Sequence, residues 1–92
     1  MIRSFRHKGV ELFFRTGKTS GIQAKHAKRL RLQLTALNRA SAPHDMAAPG
    51  WHLHPLKGRL AGRWSVWVDS HWRLTFAFAD GEAVLVDYQD YQ

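Results

Sequence analysis

The strongest constraint on this chain lies near its C-terminal end, where two alternating apolar runs meet at an Asp-Gly pair. Trp72–Ala79 (WRLTFAFA) and Glu82–Tyr88 (EAVLVDY) flank Asp80-Gly81. Asp-Gly suits a two-residue turn whose central residues both need positive φ, so the runs are predicted to fold back on each other as antiparallel strands. Upstream, Arg63–Val68 (RWSVWV) reads as a further strand, joined through a short connection at Asp69-Ser70-His71. Period two then sorts the side chains of the middle strand. Trp72, Leu74, Phe76 and Phe78 point one way, Arg73, Thr75, Ala77 and Ala79 the other. The first face is bulky and apolar and must be covered. The second is small apart from Arg73, and is expected to stay shallow and open with a guanidinium rising from it.

The cover is supplied earlier in the chain. Ala27, Leu30, Leu34 and Leu37 fall at spacings of three, four and three, one apolar stripe of a helix running from about Ile22 to Ala40. Thr19-Ser20-Gly21 offers N-cap candidates for it, and Lys25, Lys28, Arg29, Arg31 and Arg39 lie mostly off the stripe. Ahead of it, residues 2–5 alternate as a short first strand, and residues 8–15 read as a short helix stopped by Gly17. Residues 41–50 hold two prolines and a glycine and read as a loop. Trp51–His54 is a candidate edge strand before Pro55. The expected architecture is a single α+β domain over residues 1–92. It has two layers in the order β-α-α-β-β-β, with two N-terminal helices on one face of a small, mainly antiparallel sheet.

Charge narrows the partners. Fourteen Lys and Arg stand against seven Asp and Glu, a formal net charge of +7. Residues 1–50 hold ten basic and two acidic residues, whereas residues 51–92 hold four basic and five acidic. An excess of this kind points to a polyanion, nucleic acid before an anionic membrane surface, against the plainer alternative of a solvated basic face. There is no cysteine, which excludes disulfides, thiolate zinc sites and cysteine nucleophiles and fits a reducing cytoplasm. The apolar runs are too short for a membrane-spanning helix or a signal-peptide core.

Titratable groups concentrate in His52-Leu53-His54-Pro55-Leu56-Lys57-Gly58. A His-x-His pair in an extended segment would present both imidazoles on one face and could hold a metal, but no third histidine lies nearby in sequence. The chain closes on Asp87-Tyr88-Gln89-Asp90-Tyr91-Gln92, a carboxylate and a phenol repeated at period three; a frayed polar tail is the plainer reading. His54, Lys57, Arg73, Asp90 and Tyr91 together supply the residue types that metal-free RNA cleavage needs. A base takes the 2′-hydroxyl proton, cations stabilise the extra charge on phosphate, and an acid protonates the departing 5′-oxygen. Spacing alone does not bring the five together.

Several motifs combine into a resemblance over essentially the whole chain. They are Ile2-Arg3-Ser4-Phe5, Thr19-Ser20-Gly21, His54-Pro55-Leu56-Lys57-Gly58, Gly62-Arg63-Trp64-Ser65, Trp72-Arg73-Leu74-Thr75-Phe76 and the closing Asp90-Tyr91. The sequence resembles the HigB-type (host inhibition of growth) toxins of the RelE superfamily. The resemblance implies a bacterial type II toxin, a cytoplasmic, ribosome-dependent mRNA endoribonuclease that needs neither metal nor other cofactor. It also implies a HigA-like antitoxin with a helix-turn-helix, through which alone operator DNA would be reached. Carried over by position, His54 is the proton-transfer residue and Lys57 and Arg73 are phosphate contacts. Asp90 and Tyr91 match the acidic and aromatic end of the site. Family members commonly end in Asp-Tyr-His, whereas both candidate positions here, 89 and 92, are glutamine, which cannot exchange a proton near neutrality. Lys25, Lys28, Arg29, Arg31 and Arg63 are expected to grip ribosomal RNA. Two other expectations stand beside the nuclease. One is a catalytically weak member that binds antitoxin or ribosome without cutting. The other is a stand-alone RNA-binding domain, supported only by aromatics such as Trp67, which reads more naturally as a packed residue.

Overall fold

The computed structural model describes residues 1–90. Helix α1 spans Lys8–Thr16; the His7 ring accepts from the Val10 N–H at 3.1 Å at its start, and the Gly17 N–H closes its end on the Phe13 carbonyl at 2.8 Å. Helix α2 spans Ala27–Arg39 and is entered through a 3₁₀ turn at Ala24–His26. It therefore begins later than the apolar stripe suggests. Thr19-Ser20-Gly21 caps nothing: the residue before the 3₁₀ turn is Gln23, extended and without a side-chain cap. Gly21 serves close packing instead. A Cβ built on Gly9 of α1 would lie 2.2 Å from the Gly21 carbonyl oxygen, so two backbones touch where neither tolerates a side chain.

The sheet holds β1 (His54–Pro55), β2 (Trp64–Trp67), β3 (Trp72–Ala79) and β4 (Glu82–Asp90), hydrogen-bonded in that order and antiparallel throughout. Residues 2–5 do not form a regular strand. They lie parallel to β4 and touch it through two isolated bridges, Ile2 to Ala83 and Phe5 to Val86. The expected loop at 41–50 includes a 3₁₀ turn at Pro43–Met46 that buries Met46. The β3–β4 hairpin turns at Asp80 (φ 53°) and Gly81 (φ 77°), the paired positive values a tight primed turn requires.

One irregularity in β4 decides which residues reach the core. Thr75 pairs with Asp87 but Ala77 pairs with Val84, so β4 carries an extra residue opposite Phe76. Leu85 takes it up with φ 57°. This bulge lets Ala83 and Val86, three residues apart, both point inward. They join Val66, Leu74 and Phe76 under Leu30, Leu34 and Leu37 of α2 and Val10 and Phe13 of α1. The bulky face of β3 is thus covered by the helices as expected. The other face is less open than expected, because Arg73 and Thr75 are themselves buried.

The Gly9–Gly21 contact is testable. Gly9→Ala forces the backbones apart, and its urea unfolding free energy is expected to fall by about 1–3 kcal/mol, with helix content by circular dichroism retained.

Candidate active site

Strand register assembles a site on the face away from the helices. His54 pairs with Ser65, Ser65 with Thr75 and Trp67 with Arg73; Arg73 and Thr75 in turn pair with Gln89 and Asp87. His54, Leu56, Ser65, Trp67 and Arg73 line a pocket of about 290 Å³. His54 is exposed on the edge strand, and its Nδ1 bonds the carbonyl of Pro55. A carbonyl only accepts, so Nδ1 carries the hydrogen, and in the neutral ring the lone pair is on Nε2. That is the tautomer of a proton acceptor.

Arg73 does not rise freely from the sheet. Its guanidinium lies over the Trp67 indole, 4.5 Å from the ring centroid, and Nη1 donates to the Asp69 carbonyl at 3.0 Å. The indole beside it on β2 offers a π-face, so the cation folds against the sheet instead of extending into water. The two imidazoles of His52 and His54 also take different partners: His52 stacks on Trp67, its ring centroid 3.8 Å away. Among the described residues, no group of three His, Cys, Asp or Glu side chains stands close enough to hold a metal ion.

The other expected residues are more dispersed. Lys57 is exposed just ahead of a 3₁₀ turn at Gly58–Leu60 and does not line the pocket. Asp90 pairs with Trp72, a register position on the helix side of the sheet, and is exposed. Tyr91 and Gln92 lie outside the described residues. Gln89 does reach the site face, opposite Arg73, with its Nε2 donating to Asp87 at 2.9 Å. Lys25, Lys28 and Arg29 border a separate groove of about 430 Å³ together with His26, Leu32, Val68 and Asp69. Arg31 turns to the α1 side, its guanidinium over the Phe13 ring at 5.3 Å. Arg63 is half-buried just before β2.

A chain of polar groups, buried at His26 and Tyr88 and half-exposed at Asp69, ties these regions together. His26 Nε2 lies 2.6 Å from the Asp69 carboxylate, and its Nδ1 meets the Tyr88 hydroxyl. With the neutral tautomer protonated on Nε2, every donor finds an acceptor: Tyr88 O–H to Nδ1, then Nε2–H to Asp69. Asp69 also accepts from the N–H groups of His71 and Trp72, both at 2.8 Å. Burial pushes the Asp69 carboxyl up, but the bonds from His26, His71 and Trp72 outweigh it and bring the pKa down to about 2. Burial also raises the Tyr88 phenol, which keeps its proton. The larger groove is therefore not where proton transfer is available, since its one imidazole is engaged at both nitrogens. The smaller pocket holds the uncommitted one.

Sequence reasoning passed over Ser65 and Trp67 as site residues and His26 and Asp69 as their support. Extending period two from β3 to the neighbouring strand would have placed Ser65 and Trp67 beside Arg73. His26 sits four residues before Leu30, on the apolar stripe, where a polar residue must find buried partners.

A family profile described as the RelE-like toxin of the type II toxin–antitoxin system HigB matches residues 3–92. The chain belongs to this HigB-like family of type II toxins, and such membership implies an antitoxin partner. Endoribonuclease HigB from Proteus vulgaris is 42% identical over 91 residues, covering 99% of each chain. YafQ from E. coli superposes with a TM-score of 0.62 at 18% identity, over 98% of this chain and 91% of that one. The YoeB/ParE toxin from Agrobacterium tumefaciens gives 0.59 at 20% identity, over 97% and 99%. At those identities the two structural likenesses bear on the fold alone.

Because the folded Asp69 pKa lies below its ordinary value of 3.8, its contribution to stability is present above that value and is lost as pH falls toward about 2. Wild-type stability, followed by chemical denaturation between pH 5 and pH 2 (assay conditions, roughly the carboxylate range), is expected to fall more steeply than that of Asp69→Asn.

Proposed function

We propose that this toxin is a metal-free mRNA endoribonuclease that acts on translating ribosomes and is neutralised by a HigA-like antitoxin carrying a helix-turn-helix. The observation that carries this reading is the meeting of an imidazole with an uncommitted Nε2 and a cationic guanidinium in one pocket of a basic protein. The name of the Proteus vulgaris relative supports the same chemistry.

In the proposed reaction His54 Nε2 takes the proton of a ribose 2′-hydroxyl. The 2′-oxygen forms a bond to phosphorus as the bond to the 5′-oxygen breaks, leaving a 2′,3′-cyclic phosphate and a 5′-hydroxyl. Arg73 faces the phosphoryl oxygens, where negative charge builds up in the transition state, and Lys57 adds a second positive charge from the neighbouring turn. In-line displacement puts attacking and leaving oxygens on opposite sides of phosphorus, so a second group must protonate the 5′-oxygen. The resemblance gives that role to Tyr91; Asp90, whose register position lies on the helix side of the sheet, is not assigned to it. Lys25, Lys28 and Arg29, together on one groove, are assigned to sequence-independent contact with ribosomal RNA, with Arg31 and Arg63 more peripheral. The protein is proposed to work in the cytoplasm.

One observation favours a second reading, that of a weak or inactive member that binds antitoxin and ribosome. Gln89 occupies the site face opposite Arg73 and is held there by Asp87. If the family's terminal histidine corresponds to this position, an amide replaces a proton carrier.

Mapping of mRNA 5′ ends in a translating extract separates the two. Wild-type protein is expected to generate new ends. His54→Ala should slow their formation by about 10²–10⁴-fold and Arg73→Ala by about 10²–10³-fold, with both variants still folded. Undiminished cleavage by a folded double variant would overturn the assignment. Replacing Lys25, Lys28 and Arg29 by Gln should flatten the log–log salt dependence of ribosome binding by about two units, at roughly 0.7–0.9 per lost phosphate contact; an unchanged slope would place the docking surface elsewhere.

A further inference from the structure

The strand opposite β2 contains an irregularity beside the pocket. The Trp67 N–H bonds the Trp51 carbonyl at 2.7 Å, while His54 pairs with Ser65. His52 and Leu53 therefore span the space opposite one residue, Val66. The extra residue is accommodated at His52, which adopts φ 52°. The left-handed region is uncommon outside glycine, and histidine, like asparagine, enters it more readily than most residues. Bulges next to functional sites commonly re-aim a side chain, and this one lays the His52 imidazole on the Trp67 indole, the planes inclined by 29°.

Trp67 is a rigid support. Its N–H is taken by Trp51, its carbonyl accepts from the Gln33 amide at 2.7 Å, and Arg73 approaches its ring from the β3 side. His52 comes from the β1 side, so cation, indole and imidazole form a layered stack ending in an exposed aromatic ring. An exposed ring backed by a fixed indole is a platform for an unpaired nucleobase. Its position next to His54 and Arg73 selects the base.

We infer that the outer face of His52 is a stacking subsite for a base of the mRNA nucleotide flanking the cleaved phosphate. This assignment rests on the nuclease reading above and adds a substrate contact to it. Trp67 is a positioning residue, because its own faces are occupied.

The test compares cleavage on programmed ribosomes for wild type, His52→Ala, His52→Asn and His52→Tyr, with intact mRNA and with mRNA made abasic at the nucleotides flanking the cut. Asn tolerates the left-handed backbone but has no ring, whereas Tyr keeps a ring. With intact mRNA, Ala and Asn are expected to raise KM about tenfold, a typical stacking loss, with a smaller change in kcat, and Tyr to restore most of it. With abasic mRNA, wild type and the ringless variants should converge. Unchanged KM in folded His52→Ala and His52→Asn, or the same tenfold difference on abasic mRNA, would overturn the subsite while leaving the nuclease intact. An inactive wild type would instead remove the nuclease reading and this subsite with it. Thermal denaturation of each variant establishes that it is folded.

Discussion

The Asp69 carboxylate is the interaction on which the site face depends. One oxygen receives the N–H groups of His71 and Trp72 and fixes the turn between β2 and β3. The other receives His26 and fastens that turn to the start of α2. Because the turn is fixed, the Asp69 carbonyl is available to the Arg73 guanidinium, and Arg73 meets Trp67 across the ladder. A hydrogen bond made on the helix side of the sheet thus governs the posture of a cation on the other side. The buried partner gives it weight, because His26 is almost fully enclosed and its ring nitrogens would otherwise lack partners.

Much of this architecture was legible from residue pattern. The β3–β4 hairpin combines alternation with Asp-Gly, and the α2 leucines repeat at helical spacing; both signals are local and mutually consistent. The bulges were not legible. Leu85 and His52 carry positive φ without being glycine, so neither residue type announces a break in period two. Tertiary packing imposes both. At Leu85 the break brings Ala83 and Val86 to one core, and at His52 it reconciles pairing at Trp51 with pairing at His54. The first strand expected at residues 2–5 is present only as two bridges to β4.

The site was half legible for a similar reason. His54 and Arg73 could be named as chemically suitable, and strand register brings them to one pocket. The depth of Arg73 depends on a neighbour, Trp67, whose packing partner residue type alone does not name. The apolar stripe of α2, from Ala27 to Leu37, does not announce the polar His26 and Gln33 beside it. Both are polar residues on a buried face, and each bonds a group that supports the site. Charge was legible in sum but not in direction. Lys25, Lys28 and Arg29 converge on one groove while Arg31 turns toward α1.

The margins of the sheet have a bearing on how such a protein behaves alone. β1 is only two residues long, and its second residue, Pro55, has no amide hydrogen to offer. On the far side, the N-terminal segment lies along β4 and bonds its outer groups from Ala83 to Val86. Neither border offers a long row of unmatched amides and carbonyls, the template through which sheets recruit copies of themselves. With both borders shortened in this way, the reactive surface can stay uncovered with little invitation to self-association through the strands.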